Sequence, residues 1–89
     1  MKRLNLKIVN QKGLHARASA KFAEKVEEFD AEAQVSRDGM TVSGDSIMGL
    51  LMLAASRGST IEVQISGPEA DPLAAALEEL VARRFGEDF

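Results

Sequence analysis

The chain carries a single histidine, and the residues around it decide what chemistry it can do. His15 lies in Gly13-Leu14-His15-Ala16-Arg17-Ala18-Ser19-Ala20, between a segment that alternates like a strand and one with helical periodicity. An imidazole so placed stands at a helix N-terminus, where unpaired backbone N–H groups and about half a positive charge favour an anion and disfavour an imidazolium. A neutral imidazole there is a nucleophile that could hold a phosphoryl group. By position alone, a single histidine near a helix start is more often a capping or surface residue than a reactive one. The neighbours point further: Gly13 permits a tight turn, Ala16, Ala18 and Ala20 leave the first turn open, and Arg17 offers a bidentate fork for phosphate. The backbone N–H groups of Ala16 and Arg17 can hold phosphate oxygens without any general base. Together these residues describe an anion pocket.

The elements that must position this site follow from periodicity. Leu4, Leu6 and Ile8 alternate with Asn5 and Lys7, the pattern of a strand with one buried face. After the Gln11-Lys12-Gly13 turn, Ala18, Phe22, Val26 and Phe29 recur at helical spacing, with Ser19, Lys21, Glu24 and Glu28 on the polar side, predicting a helix from about Ala16 to Phe29. Ala33 and Val35 precede Asp38-Gly39, a strong hairpin signal, and Met40 and Val42 alternate after it. Ser43-Gly44-Asp45-Ser46 supplies capping residues ahead of the apolar run Ile47 to Ala55, a short helix expected to end near Gly58 with one side exposed. Ile61, Val63 and Ile65 alternate in a fourth strand stopped by Gly67-Pro68. Asp71 reads as an N-cap with Pro72 in the first helical position, and Leu73, Leu77, Leu80, Val81 and Phe85 form the stripe of a last helix.

The order is β-α-β-β-α-β-α. Strands and helices that each have one apolar face must bury it against the other layer, so an α+β fold is expected: a two-layer open-faced sandwich of a four-stranded antiparallel sheet and three helices. The other sheet face, carrying Asn5, Lys7, Gln34, Ser36, Thr41, Glu62 and Gln64, is polar enough to meet solvent. At 89 residues the chain reads as a single domain over positions 1–89.

Composition removes several classes of function. With no cysteine and one histidine, disulfides, iron–sulfur clusters, thiol nucleophiles and a zinc or copper site all lack ligands, so no metal is expected. A net charge of −3 and four aromatic residues, all Phe, argue against a nucleic-acid surface. The run from Ile47 to Ala55 falls far short of the roughly 20 residues a membrane span needs, so no membrane insertion is expected. Met1-Lys2-Arg3 leads into strand residues and not a signal-like apolar block, which points to the cytoplasm. Acidic residues gather at Glu24, Glu27, Glu28, Asp30 and Glu32 and again at Glu78, Glu79, Glu87 and Asp88, most simply solvated helix faces.

Gly13-Leu14-His15-Ala16-Arg17, the Asp38-Gly39 hairpin and Ser46-Ile47-Met48-Gly49 together resemble HPr, the histidine-containing phosphocarrier family of the bacterial phosphotransferase system, over nearly the whole chain. The resemblance implies an HPr-like open-faced sandwich. It also implies that His15 accepts a phosphoryl group on Nδ1 from phospho-enzyme I, charged by phosphoenolpyruvate, and passes it to an EIIA-type protein in sugar uptake or in nitrogen or carbon regulation. Arg17 would stabilise the phosphate. The chain would act as a stoichiometric carrier, monomeric and without a cofactor, and not as a free-standing enzyme. Ser46 is the position that an HPr kinase/phosphorylase phosphorylates in many relatives, although Ser46 and Asp45 are also ordinary helix caps. The family arrangement would place a docking surface on Leu14, Ala20, Ile47, Met48, Leu51 and Met52, and methionine suits a surface that must fit several partners. Two departures stand out. Typical HPr sequences have proline where Ala18 stands, which implies a looser helix start, and many carry lysines where Glu24 and Glu27 stand, which alters steering toward acidic partners. Ala18 and the segment Gly44 to Leu50 lean toward the nitrogen-related branch.

Two other classes compete. Gly44-Asp45-Ser46-Ile47 is similar to the attachment site of an acyl carrier protein, with phosphopantetheine on Ser46, but such carriers are helical bundles and the alternation at 4–9, 33–42 and 61–66 demands strands. A small hydrolase would use His15 as base and Ser19 as nucleophile. It would also need a carboxylate to orient the histidine, and no acidic residue lies within a turn of His15 in sequence, leaving only the fold to bring one near.

Overall fold

The structure is a computed structural model that describes all 89 residues. Its elements are β1 (Lys2–Lys7), α1 (Ala16–Glu27), β2 (Glu32–Arg37), β3 (Met40–Ser43), α2 (Ile47–Leu53), β4 (Thr60–Ser66) and α3 (Ala70–Ala82), followed by a single 3-10 turn at Arg84–Gly86. The four strands form one antiparallel sheet in the order β1-β4-β2-β3. This is the expected α+β open-faced sandwich.

Cross-strand register explains why it closes. Leu4 pairs with Val63, Val63 with Val35, and Val35 with Val42, so one row of apolar side chains crosses all four strands under the helices. One step along, Asn5, Glu62, Ser36 and Thr41 make the corresponding row on the open face, where the Ser36 and Thr41 hydroxyls hydrogen-bond at 2.8 Å. Against the apolar face α1 lays Ala18, Phe22 and Val26, α2 lays Leu50 and Leu53, and α3 lays Leu73, Leu77 and Val81, all buried in one contiguous core. The Asp38-Gly39 turn has both residues at positive φ, 51° and 82°, as a two-residue hairpin requires.

Four expectations about the elements fail for local physical reasons. Asp71 is not the cap of α3: the cap is Glu69 and the helix begins at Ala70, two residues earlier than expected, because Glu69 is tied to the loop between α1 and β2 through its N–H to the Asp30 carbonyl (3.0 Å) and its carboxylate to the Asp30 N–H (2.7 Å). Pro72 still falls in the first turn, where its missing N–H removes no intrahelical bond. Helix α2 stops at Leu53, well before Gly58, since Ala54 turns left-handed at φ 51° and closes the end through its N–H to Leu51. Phe85 is buried but is not part of α3: Arg84 and Phe85 both adopt left-handed conformations, at φ 57° and 55°, and turn the chain back toward α1. Ser19 is fully buried and not on the polar side of α1, its hydroxyl donating to the Leu14 carbonyl at 3.1 Å.

Candidate functional site

The site is built on the junction between β1 and α1. Gly13 stands at φ 66°, and a Cβ there would lie 2.4 Å from the Ala55 carbonyl oxygen and 2.9 Å from the Ser56 Cα, so only glycine lets the loop press against the segment that follows α2. The Leu14 N–H then donates to Ala55 at 2.9 Å, and the Leu14 side chain sinks into the core. Leu14 is therefore a core residue, and its burial removes it from the docking surface.

His15 is the N-cap of α1 in extended conformation, yet its side chain makes no capping hydrogen bond. The first bond of the helix runs from the Ser19 N–H to the His15 carbonyl at 2.8 Å. This leaves the N–H groups of Ala16, Arg17 and Ala18 without an intrahelical acceptor. Beside them the exposed Arg17 lines a shallow cavity with Gln11, Lys12 and Lys21. The same cavity is lined by Glu87 and Asp88, so cationic and anionic side chains meet there close to the helix end. Although Ala18 stands where a proline would stiffen the turn, Ala18 is fully buried and the Ser19–Leu14 hydrogen bond pins the same turn from inside.

The carboxylate that sequence reasoning did not find is Glu87. Its Oε2 meets Nε2 of His15 in a short hydrogen bond, across 72 positions of sequence. Its Oε1 accepts from Nδ2 of Asn10 at 3.0 Å, and Nδ2 also donates to the Gly13 carbonyl at 2.9 Å. Desolvation by burial pushes the Glu87 carboxyl up, but the hydrogen bonds from Asn10 and His15 and the charges of His15 and Lys12 outweigh it and hold the group below its usual range. Read in the sequence as part of a solvated acidic face, Glu87 is instead 14% exposed and faces a ring that is 26% exposed. The apolar Phe85 followed by Gly86 was the one sequence signal that the chain turns inward there.

The histidine–carboxylate pair supplies two of the three members of a hydrolytic triad, but Ser19 does not complete it. Its hydroxyl is buried and committed to Leu14. Ser46 caps α2, its Oγ accepting from the Gly49 N–H at 3.0 Å. Gly49 must lack a side chain there, since a Cβ would fall 2.9 Å from Val42 and 3.1 Å from the Ser46 Oγ. Ile47, Met48 and Met52 are exposed, Met48 by 70% and Met52 by 64%, while Leu51 and Ala20 are half-buried.

Comparison with known proteins decides the family. A family model described as "PTS HPr component phosphorylation site" matches residues 2–83. The chain belongs to the HPr phosphocarrier family of the phosphotransferase system. Among HPr relatives, the phosphocarrier protein HPr of Cupriavidus necator is 46% identical over 80 residues, covering 90% of each chain. The phosphocarrier protein NPr of Escherichia coli is 37% identical over 84 residues, covering 93% of each. The crystal structure of HPr-C-His from Thermoanaerobacter tengcongensis superposes with a TM-score of 0.95 at 32% identity, covering all of both chains. Membership in a family of four-stranded sandwiches leaves no place for the helical acyl carrier reading. No helix of the HPr-type chain is long and apolar enough to cross a membrane.

Proposed function

We propose that the chain is a stoichiometric carrier whose His15 accepts a phosphoryl group on Nδ1 from phospho-enzyme I and passes it to an EIIA-type protein, in sugar uptake or in nitrogen or carbon regulation. The observation that supports this is a histidine at the first turn of α1 whose ring is free of capping duty, beside the open N–H groups of Ala16 and Arg17 and the guanidinium of Arg17. Such donors can hold the oxygens of a phosphoryl group on the ring, and none of them must move a proton. A carrier of this kind needs no substrate cleft, and the cavity beside His15 is shallow. The exposed Ile47, Met48 and Met52, with the half-buried Leu51 and Ala20, serve as the apolar part of the surface that both partners share. We place the carrier in the cytoplasm as a monomer of one domain.

Ser46 is a second phosphorylation site in this reading, addressed by an HPr kinase/phosphorylase. Its oxygen already works as an acceptor for Gly49, and a phosphoserine oxygen can keep that role while adding negative charge next to Asp45. The first test is incubation with labelled phosphoenolpyruvate and enzyme I. One acid-labile, alkali-stable phosphoryl group is expected on the parent and none on His15→Ala; label retained by His15→Ala would overturn the site. Arg17→Ala is expected to slow transfer while leaving the fold intact, and equal rates would remove Arg17 from the mechanism.

A further inference from the structure

The segment after α3 is held far more firmly than a surface tail requires. Two successive non-glycine residues, Arg84 and Phe85, sit in the left-handed region, each at a conformational cost of about 1–2 kcal/mol. Such strain persists only where surrounding contacts over-determine it. Here the contacts are the fully buried Phe85 ring, the Lys21 ammonium donating to the Phe85 carbonyl at 2.7 Å, and the Gln11 N–H donating to the Phe89 carbonyl at 3.0 Å. What this arrangement delivers is one carboxylate against one nitrogen of His15.

Asn10 shows the same directed use. It is fully buried, and its two amide hydrogens go to the Gly13 carbonyl and to Glu87, while its Oδ1 finds no protein partner. Its two donors tie the Glu87 carboxylate to the very loop that carries His15, fixing the angle between carboxylate and ring.

Resting on the reading of His15 as phosphoryl acceptor, we propose that Glu87, oriented by Asn10, is a positioning residue for the transfer. Its carboxylate accepts from Nε2–H and thereby leaves the lone pair on Nδ1 to attack phosphorus. An ionised carboxylate can only accept, so the shared proton belongs to Nε2, and a neutral imidazole has no second one. The depressed titration of Glu87 is consistent with the ionised form. In the transfer the Nδ1 lone pair forms the bond to phosphorus as the donor's bond to phosphorus breaks and its electron pair returns to the donor. The ring keeps its Nε2 proton and gains positive charge, which the Glu87 carboxylate faces directly. Onward transfer reverses these changes: the Nδ1–phosphorus bond breaks, its pair returns to Nδ1, and the phosphoryl group leaves to the acceptor. Glu87 therefore stabilises the ring most when it is phosphorylated, which is the difference a carrier exploits.

Two variants separate this role from simple packing. In Glu87→Gln the amide oxygen remains the natural partner for the Asn10 donor, which turns the NH₂ toward Nε2 and forces that nitrogen to accept, moving the ring proton to Nδ1. Glu87→Ala removes the bias without reversing it. With imidazole-¹⁵N-labelled protein at about pH 9, where histidine is ordinarily neutral, the parent is expected to show the Nε2–H tautomer and Glu87→Gln the Nδ1–H tautomer. In phosphoryl transfer from phosphoenolpyruvate and enzyme I, kcat should fall about tenfold in Glu87→Ala and roughly a hundredfold in Glu87→Gln, with KM for the carrier unchanged. A residue that only packs would give two variants equally impaired, with the loss in KM or in folding. Glu87→Gln that keeps the Nε2–H tautomer, or that transfers no more slowly than Glu87→Ala, overturns the proposal. His15→Ala run alongside distinguishes the two levels: activity in that variant defeats the acceptor reading itself, whereas an inactive His15→Ala with parent-like Glu87 variants defeats only the role of Glu87.

Discussion

Gly13→Ala is the sharpest structural probe of the site, because crowding and backbone strain act there together and can be separated by a control. The added Cβ would stand 2.4 Å from the Ala55 carbonyl oxygen and 2.9 Å from the Ser56 Cα, so the loop must back away from the segment after α2. Placing alanine at φ 66° costs about 1–2 kcal/mol. Overpacking against backbone adds about 1–3 kcal/mol, and weakening the 2.9 Å bond from Leu14 to Ala55 adds about 0.5–1.5 kcal/mol. Destabilisation of about 2.5–6.5 kcal/mol is expected, against a total of about 4–13 kcal/mol for a chain of this length. At roughly 4–8 °C per kcal/mol, the melting temperature should drop by at least about 10 °C. Gly39→Ala is the control: φ is 82° but nothing lies within 4 Å of its Cβ, so only the conformational share of about 1–2 kcal/mol applies. Urea melts followed by far-UV circular dichroism are the assay, since the chain has neither Trp nor Tyr for intrinsic fluorescence. If Gly13→Ala loses no more stability than Gly39→Ala, the crowding argument is refuted, and with it the account of how the loop fixes His15.

Two further outcomes follow from the same geometry. Ser46→Ala should cost about 1 kcal/mol by removing the acceptor for the Gly49 N–H, whereas Ser46→Asp, which can cap equally well, should stay within about 0.5 kcal/mol of the parent in the same melts. Glu87 has a carboxyl held below its ordinary value in the folded chain, so its contribution to stability is present above the unfolded value of about 4.5 and is lost as pH falls through the folded one. The stability gap between the parent and Glu87→Gln should accordingly be largest near neutrality and shrink below about pH 4, and a gap independent of pH between about 6 and 2 would contradict the assignment of Glu87 as an ionised partner.

Period-2 alternation is a local signal, and the four strands obey it because each has one face on the core: Ile61, Val63 and Ile65 could be read as inward-facing from their spacing alone. The Asp38-Gly39 turn was equally legible, because two adjacent positive-φ positions leave few residue choices. Phe85 misled because it continues the spacing of Leu77 and Val81, and periodicity does not report that two left-handed residues have ended the helix. Ser19 misled in the opposite sense, since a small hydroxyl that satisfies itself on Leu14 can occupy a core position. His15 and Arg17 are neighbours in sequence and were found as such, but Asn10 and Glu87 join the site through a contact spanning 77 positions. No window of sequence contains it.

The sheet order carries a consequence for how the protein comes into being on the ribosome. Strand β4 lies second in the sheet and is the last strand synthesised, and both β1 and β2 depend on it for pairing, while β2 and β3 can close a hairpin early. A nascent chain shorter than about residue 66 therefore owns a hairpin and two helices with no sheet to bury them, and its long-range closure must wait. The imidazole waits longer still, for Phe85 to find the core and for Glu87 to arrive. A chain stalled or cleaved between Ser66 and Phe85 has every strand and His15, yet it lacks the partner of Nε2.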